Sequence, residues 1–246
     1  MSHFFLSAFL PPLDVKVKVD LTLEELMAIL QENLSPAELK QVKDLRLFVD
    51  LLNLERLYSQ DTLDPSGNLT EEELRQEEKL PLYAQDILGT CDKDEQKLKV
   101  FPQIMIQFYE EPHQGFLKDF FEFERNFRLA LLGFRCKRLG IDPVVELKEE
   151  DPKDFMVAEI LASKDHPSYE MPFEFEDFGP IPDHPMQQYV KIAEYRFDKV
   201  EDLLQGDLCS MDAILAYLVR FMIVKNYHAL NDQRGNQLLY DNICNR

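Results

Sequence analysis

The run Ser210 to Leu230, SMDAILAYLVRFMIVKNYHAL, decides the fold. Placed on a helix, its apolar side chains Met211, Ile214, Leu215, Tyr217, Leu218, Val219, Phe221, Met222, Ile223 and Val224 nearly encircle the axis. A helix that is apolar on almost every side must be covered on almost every side, by its own protein or by a partner. Arg220 and Lys225 interrupt the run, and its unbroken apolar part, Ala213 to Val219, is too short to span a bilayer. The run therefore predicts a central helix in a protein built from helix-on-helix contacts.

Working outward, helix starts are legible from capping boxes. Thr22 with Glu25, Ser35 with Pro36 and Glu38, and Thr70 with Glu73 each fit the pattern. Leu39, Val42, Leu45, Phe48, Val49, Leu52 and Leu57 keep one apolar face from Ala37 to about Tyr58. A turn follows at Asp64-Pro65-Ser66-Gly67-Asn68, then a short acidic helix, and Pro81 and Gly89 bracket another. The long central helix is expected from His113 to Leu139, where Phe116, Phe120, Phe123, Phe127, Leu131 and Phe134 recur at three- and four-residue steps. Gly140-Ile141-Asp142-Pro143 stops it. A further helix is expected over Asp154 to Ala162, and helix resumes at Met186.

The prediction is a mostly α fold, a multi-helix bundle in two lobes. It leaves room for a short N-terminal β element at Phe4–Phe9 and Val15–Val19. Residues 1–163 form an N-terminal helical lobe that includes the long central helix, and residues 186–246 form a C-terminal helical lobe. Between them, residues 164–185 carry five prolines (Pro167, Pro172, Pro180, Pro182, Pro185) among acidic residues and read as an irregular connector.

Composition limits the partners. A chain of 246 residues buries roughly 70–75% of its unfolded surface, enough for one large domain or two lobes. Its 45% hydrophobic and 30% charged content argues against wholesale disorder. The net charge of −19 repels nucleic-acid backbones and anionic lipid surfaces, which argues against nucleic-acid and peripheral lipid binding; with no run long enough to insert in a membrane, the expected partner is protein. Cys91, Cys136, Cys209 and Cys244 are widely spaced without a CxxC pair, which points to a reducing cytoplasm. The start MSHFFLSAFLPPLD lacks the basic region and cleavage site of a signal peptide.

Catalytic chemistry has little local support. The run Thr62 to Glu73 resembles a calcium loop, with Gly67 at its turn and Glu73 at its last ligand position. Thr62 stands where the first carboxylate belongs and Pro65 intrudes, so a turn feeding a capped helix is the simpler reading. The histidines His3, His113, His166, His184 and His228 form no metal-ligand spacing. Phosphate-cradling glycine loops and a serine-hydrolase elbow are missing from the sequence. No cofactor, metal or catalytic residue is expected. One feature runs against the global charge: Arg125, Arg128, Arg135, Lys137 and Arg138 make a basic strip on the central helix. Two readings stay open for it. The strip pairs within the chain and complements the helix C-terminus, or it docks an acidic element of a partner.

Three runs carry a family likeness: Phe4 to Pro11, Asp64 to Asn68, and Arg135 to Pro143. They resemble a bacterial family of uncharacterised proteins encoded beside V/A-type ATPase genes. More distantly, Asn126, Arg128, Arg135 and Lys137, with Ala216, Tyr217, Leu218, Lys225 and Asn226, are similar to two motifs of the V/A-type ATPase C/d family, the d subunit of the eukaryotic pump. Phe221 and Met222 stand where that family carries acidic residues, and the gap from Asn126 to Arg135 is about one helical turn longer. The resemblance implies an all-α, non-catalytic cytoplasmic component that couples the central rotor stalk to the membrane ion-translocating ring. It would lie peripheral to the inner membrane through its protein partners. Arg125, Arg128, Arg135, Lys137, Arg138, Tyr217, Lys225 and Asn226 are the expected partner-binding residues. The alternatives are a helical enzyme whose site is assembled from distant carboxylates and His113 or His228, an assembly or scaffold protein, and a calcium-regulated module using Asp64, Asn68 and Glu73.

Overall fold

The computed structural model describes residues 3–164, 169–204 and 209–244, with side chains to residue 230. The histidine singled out at His166 lies outside the described residues. In chain order the helices are α1 (His3–Phe9), α2 (Leu23–Asn33), α3 (Pro36–Tyr58), α4 (Glu71–Gln76), α5 (Leu82–Leu88), α6 (Asp94–Glu110), α7 (Gly115–Leu139), α8 (Pro143–Glu146), α9 (Phe155–Ala162), α10 (Pro185–Asp202) and α11 (Met211–Cys244). A 3-10 segment, Phe173–Phe178, precedes α10. The fold is mostly α, and no strand occurs among the described residues.

The N-terminal β expectation is corrected. Phe4–Phe9 lies in α1, because Leu6 and Leu10, four residues apart, are both buried when the segment coils. The backbone N–H of Leu10 donates to Leu6 at 3.0 Å and extends that turn. Val15–Val19 is turn and coil: the Asp14 carboxylate accepts from the Lys16 N–H at 2.8 Å, and Val17 N–H donates to the Asp14 carbonyl at 3.1 Å. An Asx turn of this kind takes the backbone away from a ladder.

The chain packs as two compact units. The first holds Met1–Val49, Asp64–Asn68 and Asp183–Arg246, and the second holds Asp50–Leu63 and Leu69–Pro182. Where the sequence reading divided the chain in linear order, packing groups the N-terminal segment with the C-terminal helices.

In the first unit α11 packs on α10 and α1. Its all-round apolar surface is buried at Ile214, Leu215, Leu218, Val219, Phe221 and Val224. The charge that interrupts it is held locally, since the Arg220 guanidinium sits 4.0 Å from the Phe197 ring centre and 3.1 Å from the Glu201 carboxylate. In the second unit α7 supplies Phe116, Phe120, Phe121, Phe123 and Phe127 to the core. Phe127 meets Phe175 and Phe178 of the 3-10 segment, at ring separations of 5.3 and 5.4 Å. That segment lies in the stretch expected to be irregular; its Phe175 and Phe178 are what anchor it. Gly133 lets Tyr169 pass close to α7, and the Tyr169 hydroxyl donates to the Ala130 carbonyl.

Candidate functional site

Helix α7 is the element on which the candidate residues can be placed one by one. Glu124 and Arg125 sit mid-helix, where the phenylalanine face gives way to a polar flank. The Arg125 guanidinium donates to Glu150 at 2.6 Å and to Asp154 at 3.0 Å. Those two carboxylates hold its pKa above the ordinary arginine value against the opposing effect of burial. Asp154 has a second task, capping α9 by accepting from the Val157 N–H at 3.2 Å. Next in the helix, the Asn126 amide donates to Glu174 at 3.1 Å. Burial pushes the Glu174 carboxyl up, and neighbouring carboxylates add to the effect.

These groups border a cleft of about 810 Å³ that also takes in His113, Lys118, Phe121 and Phe155. His113 does not face a carboxylate through its Nε2, which donates to the Phe108 carbonyl at 3.0 Å. Its ring lies against Phe108 and Phe121, with centres 5.0 and 4.6 Å away. No group of three or more His, Cys, Asp or Glu side chains among the described residues is arranged to hold a metal ion.

The rest of the basic strip divides along the helix. Arg128 lies 3.8 Å from Glu55 and 5.0 Å from the Phe101 ring centre. With Arg125 and Arg135 it lines a second groove of about 370 Å³ beside α6. Lys137 donates to the Lys164 carbonyl at 3.2 Å, whereas Arg135 and Arg138 are exposed. The strip is therefore engaged within the chain at Arg125 and open to solvent at Arg135.

The expected α11 residues face their own chain. The half-buried Tyr217 hydroxyl donates to the Pro11 carbonyl at 3.0 Å, and burial pushes its pKa up to about 12. Lys225 reaches the Val19 carbonyl at 3.5 Å, and the Asn226 amide donates to Asp64 at 2.5 Å. Together they fasten the segment after α1 and the Asp64–Asn68 turn onto α11.

That turn is fixed from other sides as well. Asp64 accepts from the Ser66 N–H at 2.9 Å, Arg46 donates to the Ser66 carbonyl at 2.9 Å and to the Gly67 carbonyl, and Asn68 donates to the Lys43 carbonyl at 3.1 Å. Glu73 closes the α4 capping box with Thr70 and pairs with Lys79. The polar atoms of the calcium-like run are spent on caps and braces.

Two apolar surfaces were missed by the sequence reading. On α1, Phe4, Phe5 and Phe9 are 50–66% exposed, and the Phe5 and Phe9 rings stack at 5.7 Å. At the corner between α7 and α8, Leu139, Ile141, Val144 and Val145 are 37–60% exposed. A signal existed for each. Once Leu6 and Leu10 claim the inner face of a helix, the phenylalanines must point elsewhere. Val144 and Val145 follow Pro143 in a four-residue helix too short to bury either.

Fold and site together define an all-helical protein with no strand among its described residues and no helix there long and apolar enough to cross a membrane. Over residues 1–246 the chain matches the family described as Protein of unknown function (DUF2764), and it belongs to that family. It is similar to an uncharacterized protein of Chlamydia trachomatis, 26% identical over 256 residues that cover 96% of this chain and 95% of that protein. An uncharacterized protein of Chlamydia muridarum is 26% identical over 257 residues, 96% of each chain. Another from Chlamydia pneumoniae is 31% identical over 128 residues, 50% of this chain and 48% of that protein. No solved structure matches the chain.

Proposed function

We propose that the chain is a non-catalytic adaptor of a V/A-type ATPase, coupling the central rotor stalk to the membrane ion-translocating ring. One observation carries the adaptor reading: each compact unit leaves a set of large apolar side chains in solvent, Phe4, Phe5 and Phe9 on one and Leu139, Ile141, Val144 and Val145 on the other. Apolar groups clustered at the surface mark protein-binding sites more often than scattered ones do. An adaptor requires two such faces. The choice of machine rests on the resemblance of the runs Phe4 to Pro11, Asp64 to Asn68 and Arg135 to Pro143. The location follows from the role, in the cytoplasm and against the inner membrane through protein partners. Purifying the ATPase from cells with and without this gene tests the proposal. The expected result is co-purification of the chain and a loss of coupling between ATP hydrolysis and ion movement when it is missing; normal assembly and tight coupling in its absence overturns it.

The cleft beside Arg125 favours a second reading, a helical enzyme acting on a small molecule. Against it stands the engagement of its polar groups, since Arg125, Glu150, Asp154, Asn126 and Glu174 satisfy one another. A thermal-shift screen of the intact chain with metabolites decides the matter. A stabilising compound whose effect disappears in Glu174→Ala favours an enzyme, and a screen without such a compound removes that reading.

A further inference from the structure

We infer that the corner joining α7 to α8 docks an acidic, amphipathic segment of a partner protein. The inference deepens the adaptor reading, on which it rests, by naming the partner's chemistry.

The surface comes from one continuous run. Arg135, Arg138, Leu139, Ile141, Val144 and Val145 are all exposed, while Cys136 and Leu147 are buried and fasten the run to the core of their unit. The backbone between them is held in a defined shape. Gly140 takes the left-handed conformation at φ 67, and the Ile141 N–H closes back onto the Cys136 carbonyl at 2.9 Å, the helix-ending geometry that needs glycine. Asp142 then caps α8 by accepting from the Val144 N–H at 3.0 Å, with Pro143 at the first helical position. Apolar side chains on a pre-shaped turn lose less entropy on binding than those on a free loop. Nothing lies within 4 Å of where a Gly140 side chain would begin, so this face of the turn opens to solvent.

Charge selects the occupant. The chain as a whole carries −19, yet Arg135 and Arg138, three residues apart and so on one side of α7, set two exposed guanidinium groups beside the exposed apolar run. Charges are screened beyond about 8 Å at physiological ionic strength, so an approaching segment senses this cluster more than the distant surface. Exposed apolar groups flanked by cations are complementary to a helix with apolar residues on one face and Asp or Glu alongside. An anionic membrane is the weaker match. A flat anionic surface would also meet Asp142 and Glu146, which share the corner, and would be repelled by the rest of the chain.

Photo-crosslinking tests the assignment. Val145→benzoylphenylalanine is introduced into the intact chain in its producing cell, and the adduct is digested and sequenced. Val145 is 60% exposed, so an unchanged melting temperature verifies the fold. The expected adduct is a protein segment combining apolar and acidic residues at helical spacing. Its yield should fall at least about tenfold when Arg135→Glu and Arg138→Glu are added, as loss of charge complementarity requires. A lipid adduct, a basic segment, a yield indifferent to charge reversal, or no adduct overturns the inference. The two readings fail separately. If the crosslinked acidic segment belongs to a protein outside the ATPase, the choice of machine falls and the corner stands. If no protein adduct forms while the ATPase still co-purifies with the chain, the corner falls and the machine stands.

Discussion

Replacing Arg125 with Met removes a guanidinium held between two carboxylates and keeps the apolar stem. Glu150 at 2.6 Å and Asp154 at 3.0 Å would then face each other across the vacated position. Breaking a fully buried pair costs about 3–5 kcal/mol, and breaking an exposed one about 0–1. Here the side chains are 20% exposed for Arg125, 15% for Glu150 and 28% for Asp154, which places the cost between those limits at about 2–3 kcal/mol. For a chain of this size each kcal/mol moves the melting temperature by about 2–4 °C, so a drop of about 4–12 °C is expected. Differential scanning calorimetry measures the drop, and hydrogen exchange locates it. Protection should fall first at the start of α9, because Asp154 is its cap. A shift under about 2 °C, with exchange at α9 unchanged, would refute the idea that Arg125 serves as an internal brace.

The Glu38 carboxyl is held at about 2 by hydrogen bonds from the Ser35 hydroxyl and backbone N–H, with a smaller contribution from His3. A depressed folded value contributes stability above the ordinary carboxylate range and loses it as pH falls toward 2. The wild-type advantage over Glu38→Gln, about 1 kcal/mol at pH 7 as for other caps, should therefore vanish between pH 4.5 and 2 in urea titrations. Gly133→Ala should destabilise by about 1–3 kcal/mol, because the added methyl would lie 2.7 Å from the Tyr169 hydroxyl and 3.0 Å from Ile160 Cγ2. Helix propensity alone gives the opposite sign, so the direction of the melting shift is decisive. Tyr217→Phe should cost about 1 kcal/mol and raise hydrogen exchange around Pro11, where its hydroxyl is bonded. Calcium at millimolar concentration should give no heat in titration calorimetry, since Asp64, Asn68 and Glu73 are each committed to backbone and side-chain partners.

Local chemistry made much of the fold readable. Thr22 with Glu25 and Thr70 with Glu73 form reciprocal capping boxes, and Ser35 exchanges hydrogen bonds with Glu38. Gly140 stops α7 as its left-handed preference dictates. Such signals act over four residues and need no tertiary knowledge. The failures have a different origin. Phe4–Phe9 belongs to a short apolar run ended by Pro11 and Pro12 that passes for a buried strand, and only burial of Leu6 and Leu10 together makes it a helix. Helix α6 has the apolar spacing of a helix at Phe101, Ile104, Met105 and Phe108, but Pro102 sits inside it and removes a backbone donor at a cost of about 3 kcal/mol, which masks that signal. Burial of those four side chains offsets the cost, and the size of that burial is a tertiary term the spacing does not give. The candidate site was half legible for the same reason. Spacing revealed a basic strip, but the acids at Glu150 and Asp154 that claim Arg125 lie 25 and 29 residues away.

This division of the strip has a consequence for how the chain can work. A guanidinium locked between two carboxylates has little charge left to offer a partner, and freeing it would cost the fold before any contact was gained. An exposed guanidinium beside apolar groups carries no such penalty. Substitutions at the two ends of α7 must therefore fail in different ways. Arg125→Met should lower melting and leave the α7–α8 corner able to crosslink at permissive temperature. Arg135→Glu with Arg138→Glu, both at exposed positions, should lower melting by less than Arg125→Met does and cut the crosslink yield at least about tenfold. A single basic surface running the length of the helix would make both variants lose docking together.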